Sequence, residues 1–188
     1  EHNNDLLEIN SKELADNYNV EFSRLFDKGL FSGKDHSIPN PDISIQGISS
    51  IKTYFSPDGG IRRAIINEIK NAKKSIKFMV FSFTQKDIGE ALVEKAKEKI
   101  KVEGIFDTCQ IDKYSIFEDL KKAKLNVFKD GNQALMHEKT IIIDDNVVIT
   151  GSYNFSVSAE VKNNENELVI TSPELTRIYL DEYERLKR

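Results

Sequence analysis

Residues 136–151 read MHEKTIIIDDNVVITG, two β-branched runs, Thr140 to Ile143 and Val147 to Thr150, parted by Asp144, Asp145 and Asn146. Apolar β-branched runs around a short polar turn give a strand–turn–strand signal. If Asp145 and Asn146 form a two-residue hairpin turn, counting sets the register. Asp144 then faces Val147, Lys139 faces Ser152, and His137 faces Asn154. Opposed residues share a sheet face, as do positions two apart. His137, Lys139, Ser152 and Asn154 are therefore expected to converge at one end of one face. A longer turn would shift the pairing.

Strand and helix patterns alternate outward from this hairpin. Strands are expected at 51–55, 75–83, 102–106, 125–128 and 167–170. Helices are expected at 57–74, 87–99, 114–124 and 174–187. Ile61, Ile65, Ile66 and Ile69 share one helical face, as do Ile88, Ala91, Leu92 and Ala96. The stretch from Phe155 to Asn164 reads as a loop. This alternation predicts an α/β fold, with a mixed, mostly parallel β-sheet flanked by helices on both faces.

The ends of the chain resemble each other. Residues 3–26 align without gaps on residues 164–187 with ten identities, among them Ser11/Ser172, Leu14/Leu175, Tyr18/Tyr179, Glu21/Glu182 and Arg24/Arg185. Composition alone gives about one or two, so the match reads as an internal repeat. The expected organisation is a strand–helix tail of a preceding lobe at 1–27, a polar linker with Gly33, Pro39 and Pro41 at 28–50, and one full lobe at 51–188. Since the first residue is Glu1, a targeting segment could have been removed with the natural start.

Composition narrows the function. The 188 residues carry a formal charge of −4, which offers no global field for nucleic acid. The basic stretches at Arg62–Arg63 and Lys70 to Lys77 read as solvated helix surface. Cys109 is the only cysteine, so no internal disulfide forms; a lone thiol fits a reducing compartment, and cytoplasmic residence is the corresponding guess. No apolar run reaches membrane-spanning length, so no stable membrane insertion is expected. His36, in the linker, and His2, at the end, read as exposed. Phe81, Phe83, Tyr153 and Phe155 read as core aromatics rather than a base-stacking surface.

The hairpin cluster combines an imidazole, an ammonium, a hydroxyl and an amide. Such a set suits a phosphate ester. Lys139 and Asn154 can grip non-bridging oxygens as charge develops, and His137 can attack phosphorus to give a phosphohistidine that water cleaves. Gly151 leaves room for a ligand beside the backbone. No metal-ligand spacing is present, so neither metal nor cofactor is expected. Glu165 is a candidate acceptor for the His137 Nδ1 proton, leaving Nε2 free. Asp144 lies seven residues from His137, roughly 23 Å at about 3.3 Å per residue, and is expected to anchor the turn through local amides.

The pattern His137-x-Lys139-x4-Asp144, followed by Gly151-Ser152-x-Asn154, resembles the HKD signature of the phospholipase D superfamily. The stretch MHEKTIIIDDNVVITGSYNFSVSAEVKNNENELVI is similar to its bacterial endonuclease branch, as are YFSPDGG and FMVFSFT upstream. The resemblance implies metal-independent phosphodiester hydrolysis, with His137, Lys139, Asn154 and Glu165 at the phosphate or supporting the histidine, and with Ser152, Gly151 and Asp144 supporting. It also implies two signatures meeting across a twofold axis, one histidine attacking and the other protonating the leaving oxygen. This chain has one signature, so a homodimer or a missing N-terminal lobe is expected to complete the site. DNA or RNA is the first expected substrate. A phospholipid is the alternative, although no exposed amphipathic stretch is evident. A non-catalytic dimerisation or scaffold lobe is the third reading. In the repeat alignment Asn4 falls where Glu165 lies.

Overall fold

The computed structural model describes residues 2–31, 36–132 and 134–187; Gly33 of the expected linker lies outside them. The helices are α1 (Lys12–Phe26), α2 (Ile61–Asn71), α3 (Lys86–Lys97), α4 (Phe117–Lys122), α5 (Val157–Val161) and α6 (Pro173–Leu186). The strands are β1 (Ile43–Ile45), β2 (Ile48–Phe55), β3 (Ser75–Val80), β4 (Lys101–Phe106), β5 (Asn126–Lys129), β6 (Lys139–Ile143), β7 (Val147–Gly151) and β8 (Asn166–Thr171). They form one sheet in the order β1-β2-β8-β7-β6-β3-β4-β5.

The fold is α/β with a mixed sheet and helices on both faces. Its balance differs from the expectation of a mostly parallel sheet. Only β3–β4 and β4–β5 pair in parallel, while the described pairings from β1 to β3 across β2, β8, β7 and β6 are antiparallel. The reason lies in the connections. The α3 and α4 crossovers bring each following strand back in the same direction, whereas β6 and β7 share a tight turn that can only reverse the chain. Both sheet faces are covered, so β6 is buried along its whole length, and Ile141, Ile142 and Ile143 in succession are apolar even though its pairings are antiparallel.

On one face, Ile61, Ile65 and Ile69 of α2 and Ile88 and Leu92 of α3 pack with Phe78, Ile141, Ile149 and Val169. The 3.6-residue periodicity of those helices produces this apolar stripe. On the other face, Tyr179, Tyr183 and Leu186 of α6 cover Met79, Ile142 and Val148. There Leu14 of α1 joins Ile51, Leu168 and Ile170. Among the described residues no helix is long and apolar enough to cross a membrane.

The two aligned segments, 3–26 and 164–187, form similarly capped helices. Ser11 caps α1 by accepting from the Leu14 amide (3.2 Å), and Ser172 caps α6 by accepting from the Leu175 amide (3.3 Å). Glu21–Arg24 and Glu182–Arg185 form the same i,i+3 pair at 2.6 and 2.5 Å. The two copies also exchange hydrogen bonds. The Tyr18 hydroxyl of the first donates to Asn166 of the second (3.0 Å), and the Tyr179 hydroxyl of the second donates to Asp5 of the first. Residues 5 and 166 occupy the same repeat position. The expected strand of the first copy does not form, however. Only Asn3 makes a bridge, to Met136, and residues 4–10 run on without strand pairing.

Several local expectations shift. The expected linker holds β1 and the start of β2, so residues 43–45 and 48–50 belong to the sheet. Helix α2 begins at Ile61 rather than Pro57, after Asp58 and Gly60 take positive φ. The loop after Phe155 contains α5, capped by Ser156. His36 is not exposed. Its side chain is enclosed between Glu21 (Nδ1–Oε2 3.3 Å) and the Pro57 carbonyl, because a carboxylate and a carbonyl replace the water it would otherwise need.

Candidate active site

The hairpin register is one residue off the expected one. Ile143 pairs Val147 and Thr140 pairs Thr150, so three residues, not two, join β6 and β7. Asp144 and Asp145 both have positive φ (56° and 53°), and the Asn146 amide donates to the Ile143 carbonyl at 3.0 Å. A one-residue slip exchanges sheet faces, yet the cluster survives. β6 starts at Lys139 and β7 ends at Gly151, so His137, Ser152 and Asn154 sit on rim segments beyond the ladder and are not bound by its alternation.

At that rim, His137, Lys139, Gly151, Ser152, Asn154 and Glu165 line one open cleft of about 530 Å³. The N-terminal segment lines it too, with Asn4 and Asp5. His137 is exposed, while Lys139 is 7% exposed. The Lys139 Nζ donates to the His137 carbonyl at 2.8 Å and stands 5.2 Å from the centre of the Phe81 ring. The His137 ring meets the same Phe81 edge-on at 4.6 Å. Phe83, Tyr153 and Phe155 are core residues, but Phe81 is half-buried and packs against the His137 ring.

Burial holds the His137 imidazole below its ordinary pKa of 6.5, with Lys139 and His2 acting the same way and Asp107 opposing. The ring is therefore neutral near pH 7. Burial also lowers the Lys139 ammonium from its ordinary value, against the opposing pull of Glu138, Glu165, Asp5 and Glu167.

Glu165 does not take the Nδ1 proton of His137 in this chain. Its carboxylate accepts from the Ser152 hydroxyl (2.6 Å) and from the Asn163 side-chain amide (2.8 Å). The Nδ1 partner is the Asn4 side-chain oxygen at 3.1 Å. Ser152 in turn accepts from the Asn166 amide (3.1 Å), tying the rim loop to β8. The Asn154 Oδ1 is buried with no hydrogen-bond partner, and the side chain lines the cleft.

Two supporting residues behave differently from expectation. Asp144 does not satisfy amides of its own turn. It accepts from the amides of Lys73 (2.7 Å), Lys74 (2.7 Å) and Ser75 (3.0 Å), in the loop from α2 to β3. Gly151 is needed by the neighbouring strand rather than by a ligand. A Cβ there would lie 2.2 Å from the Asn166 carbonyl oxygen and 2.6 Å from Glu167 Oε2. Glu167, fully buried, has both carboxyl oxygens unpartnered, and burial pushes its pKa well above the ordinary range. Among the described residues no three His, Cys, Asp or Glu side chains are grouped to hold a metal ion.

Sequence reasoning missed Asn4, Asp5, Phe81 and Glu167. Asn4 and Asp5 had left a signal: Asn4 aligns with Glu165, and a gap would bring Asp5 there instead.

An α/β sheet presenting an imidazole, an ammonium and an amide around one rim cleft carries the groups that an anionic ester would require. Residues 65–187 match the family described as Cardiolipin synthase, PLD-like domain. The chain belongs to this phospholipase D-like family. It is 32% identical over 160 residues to a phospholipase D of Rickettsia prowazekii, covering 82% of this chain and 78% of that one. Its fold superimposes on Nuc, a phospholipase D family member from Salmonella typhimurium, with a TM-score of 0.70, 34% identity, and coverage of 73% of this chain and 93% of that one. NucT from Helicobacter pylori gives a TM-score of 0.66 and 28% identity, with 72% and 95% coverage. These similarities support hydrolysis of phosphodiester bonds as the activity class.

Proposed function

We propose that this chain hydrolyses phosphodiester bonds, those of nucleic acid first, through a phosphohistidine on His137 and without a metal. The observation that carries the reading is the exposed His137 ring in one rim cleft with Lys139 and Asn154. In the first step Nε2 forms a bond to phosphorus as the bond to the leaving oxygen breaks. Lys139 and Asn154 hold the non-bridging oxygens, and the leaving oxygen takes a proton from an acid. A second copy of the chain, or a second lobe, supplies that acid as its own histidine. Water then attacks phosphorus and gives its proton to the second histidine, and the phosphorus–nitrogen bond breaks, returning His137 to its neutral form. Ser152 and Glu165 hold the rim loop, and Asp144 and Gly151 hold the strands beneath it.

Nucleic acid is preferred because residues 136–170 resemble the endonuclease branch. A phospholipid is the second reading, and one observation favours it. An apolar groove lined by Phe22, Leu25 and Phe55 shares Tyr18, Glu165 and Asn166 with the cleft. Phe22 and Phe26 stack beside it at 5.1 Å, both exposed, a feature that helical periodicity had not disclosed.

The test is incubation with plasmid, single-stranded DNA and mixed-lipid vesicles, each with chelator. Nicking that survives chelation and disappears in His137→Ala supports the first reading. Release of lipid head groups moves the assignment to the second. Absence of turnover in a preparation that gel filtration shows to be dimeric refutes both and leaves a scaffold lobe.

A further inference from the structure

We propose that Asn4 is a positioning residue for His137. Its side-chain oxygen fixes the imidazole as the Nδ1–H tautomer, so the lone pair sits on Nε2, at the open side of the cleft. The consequence for turnover rests on His137 being the nucleophile; the tautomer itself does not.

The geometry is specific. The Asn4 Oδ1 lies 3.1 Å from His137 Nδ1. An amide oxygen can only accept, so Nδ1 must carry the proton. Among the described residues no group takes Nε2, and Phe81 meets the ring edge-on, which limits its rotation. Glu165, the other candidate acceptor, is already held by Ser152 and Asn163.

Asn4 is itself held on both sides. The Asn3 amide donates to the Leu135 carbonyl, and the His137 amide donates to the Asn3 carbonyl, each at 2.9 Å. The Asp5 carboxylate accepts from Thr150 (3.0 Å) and Tyr179. Leu7 packs into the core under α6. Residue 4 is therefore placed by its neighbours, not merely resting on the ring.

An amide does this work without a charge. A carboxylate on Nδ1 would stabilise the imidazolium and raise the ring's pKa. The charged groups around the ring are Lys139 and His2, which disfavour protonation, and Asp107, which favours it; Asn4 leaves that balance unopposed. The lone pair then stays on Nε2, as a nucleophile requires.

Nitrogen NMR of 15N-histidine-labelled protein reads the tautomer directly, apart from any activity. Wild type is expected to show His137 as Nδ1–H. Asn4→Ala is expected to shift it toward Nε2–H, with folding retained through Asn3, Asp5 and Leu7. Asn4→Asp is expected to keep Nδ1–H and raise the His137 pKa by about one unit or more. On a substrate that wild type turns over, Asn4→Ala is expected to lower kcat about 10- to 100-fold with little change in KM. Asn4→Asp is expected to recover turnover while moving the acid limb of the pH profile upward. An unchanged tautomer in Asn4→Ala overturns the proposal. Faster turnover in Asn4→Ala does so as well, since the segment would then be an obstruction. If wild type turns over no phosphodiester, the functional reading fails while the NMR result still decides the role of Asn4.

Discussion

Replacing Asp144 tests whether the aspartate of the signature acts in chemistry or in construction. Its carboxylate takes three backbone amides from residues 73–75, distant in sequence. Hydrogen bonds to a charged group contribute roughly 1.5–3 kcal/mol each. The site is near solvent, so amides freed by substitution can rehydrate and the charge is partly screened; the expected loss for Asp144→Ala is about 2–4 kcal/mol. For a chain of this size that is a fall in Tm of about 5–15 °C. The backbone refines the order. Asp144 has φ of 56°, a conformation that costs alanine roughly 1–2 kcal/mol and glycine nothing. Asp144→Gly should therefore unfold above Asp144→Ala. Asp144→Asn should do better than either, since Oδ1 alone takes two of the three amides. The pH dependence follows from the sign of the shift. Burial raises the carboxyl, but the amides of Ser75, Lys73 and Lys74 outweigh it, and its pKa lies below the ordinary value. Its stabilisation is thus present above the unfolded pKa of about 3.9 and is lost as pH falls through the folded value. Thermal melts from pH 3 to 8, with turnover per folded molecule at 20 °C, make the measurement. Wild-type melting in Asp144→Ala, or lost turnover in protein shown to be folded, would refute the reasoning.

Gly151→Ala is expected to destabilise by about 1–3 kcal/mol, because the added methyl would press on the Asn166 carbonyl of the adjacent strand; a wild-type urea midpoint would count against this packing. Glu167→Gln should melt above wild type at pH 8. Since burial raises the Glu167 pKa, the native carboxyl contributes fully below its unfolded pKa of about 4.3 and less as pH rises, so the two proteins should converge near pH 4. The acid limb of kcat/KM should have its midpoint below 6.5, the ordinary histidine value, because burial, Lys139 and His2 lower His137; a midpoint above 7 would contradict it. Lys139→Met, which keeps the buried stem and removes the ammonium, should cost about 100- to 1,000-fold in kcat/KM with circular dichroism unchanged.

The α/β class, the hairpin and the grouping of His137, Lys139, Ser152 and Asn154 were legible in the sequence because they depend on periodicity and short spacings. Local pattern determines which residues can be strand or helix, and the repeat at 3–26 and 164–187 can be found by alignment alone. The same local signals misjudged the hairpin by one residue, since Asp144 and Asp145 both adopted positive φ and lengthened the turn. They also overestimated parallel pairing, because strand direction is decided by which strands become neighbours, and that is a long-range choice.

Sequence by itself determined the chemistry available at the rim: an imidazole, an ammonium and an amide within eighteen residues of chain. Tertiary structure alone decided what each of them touches. Asn4 reaches His137 across 133 positions, Asp144 holds amides about 70 residues away, and Glu165 turns to Ser152. Side-chain partners of this kind are fixed only when the packed core brings remote segments within hydrogen-bond distance. No local pattern encodes that proximity.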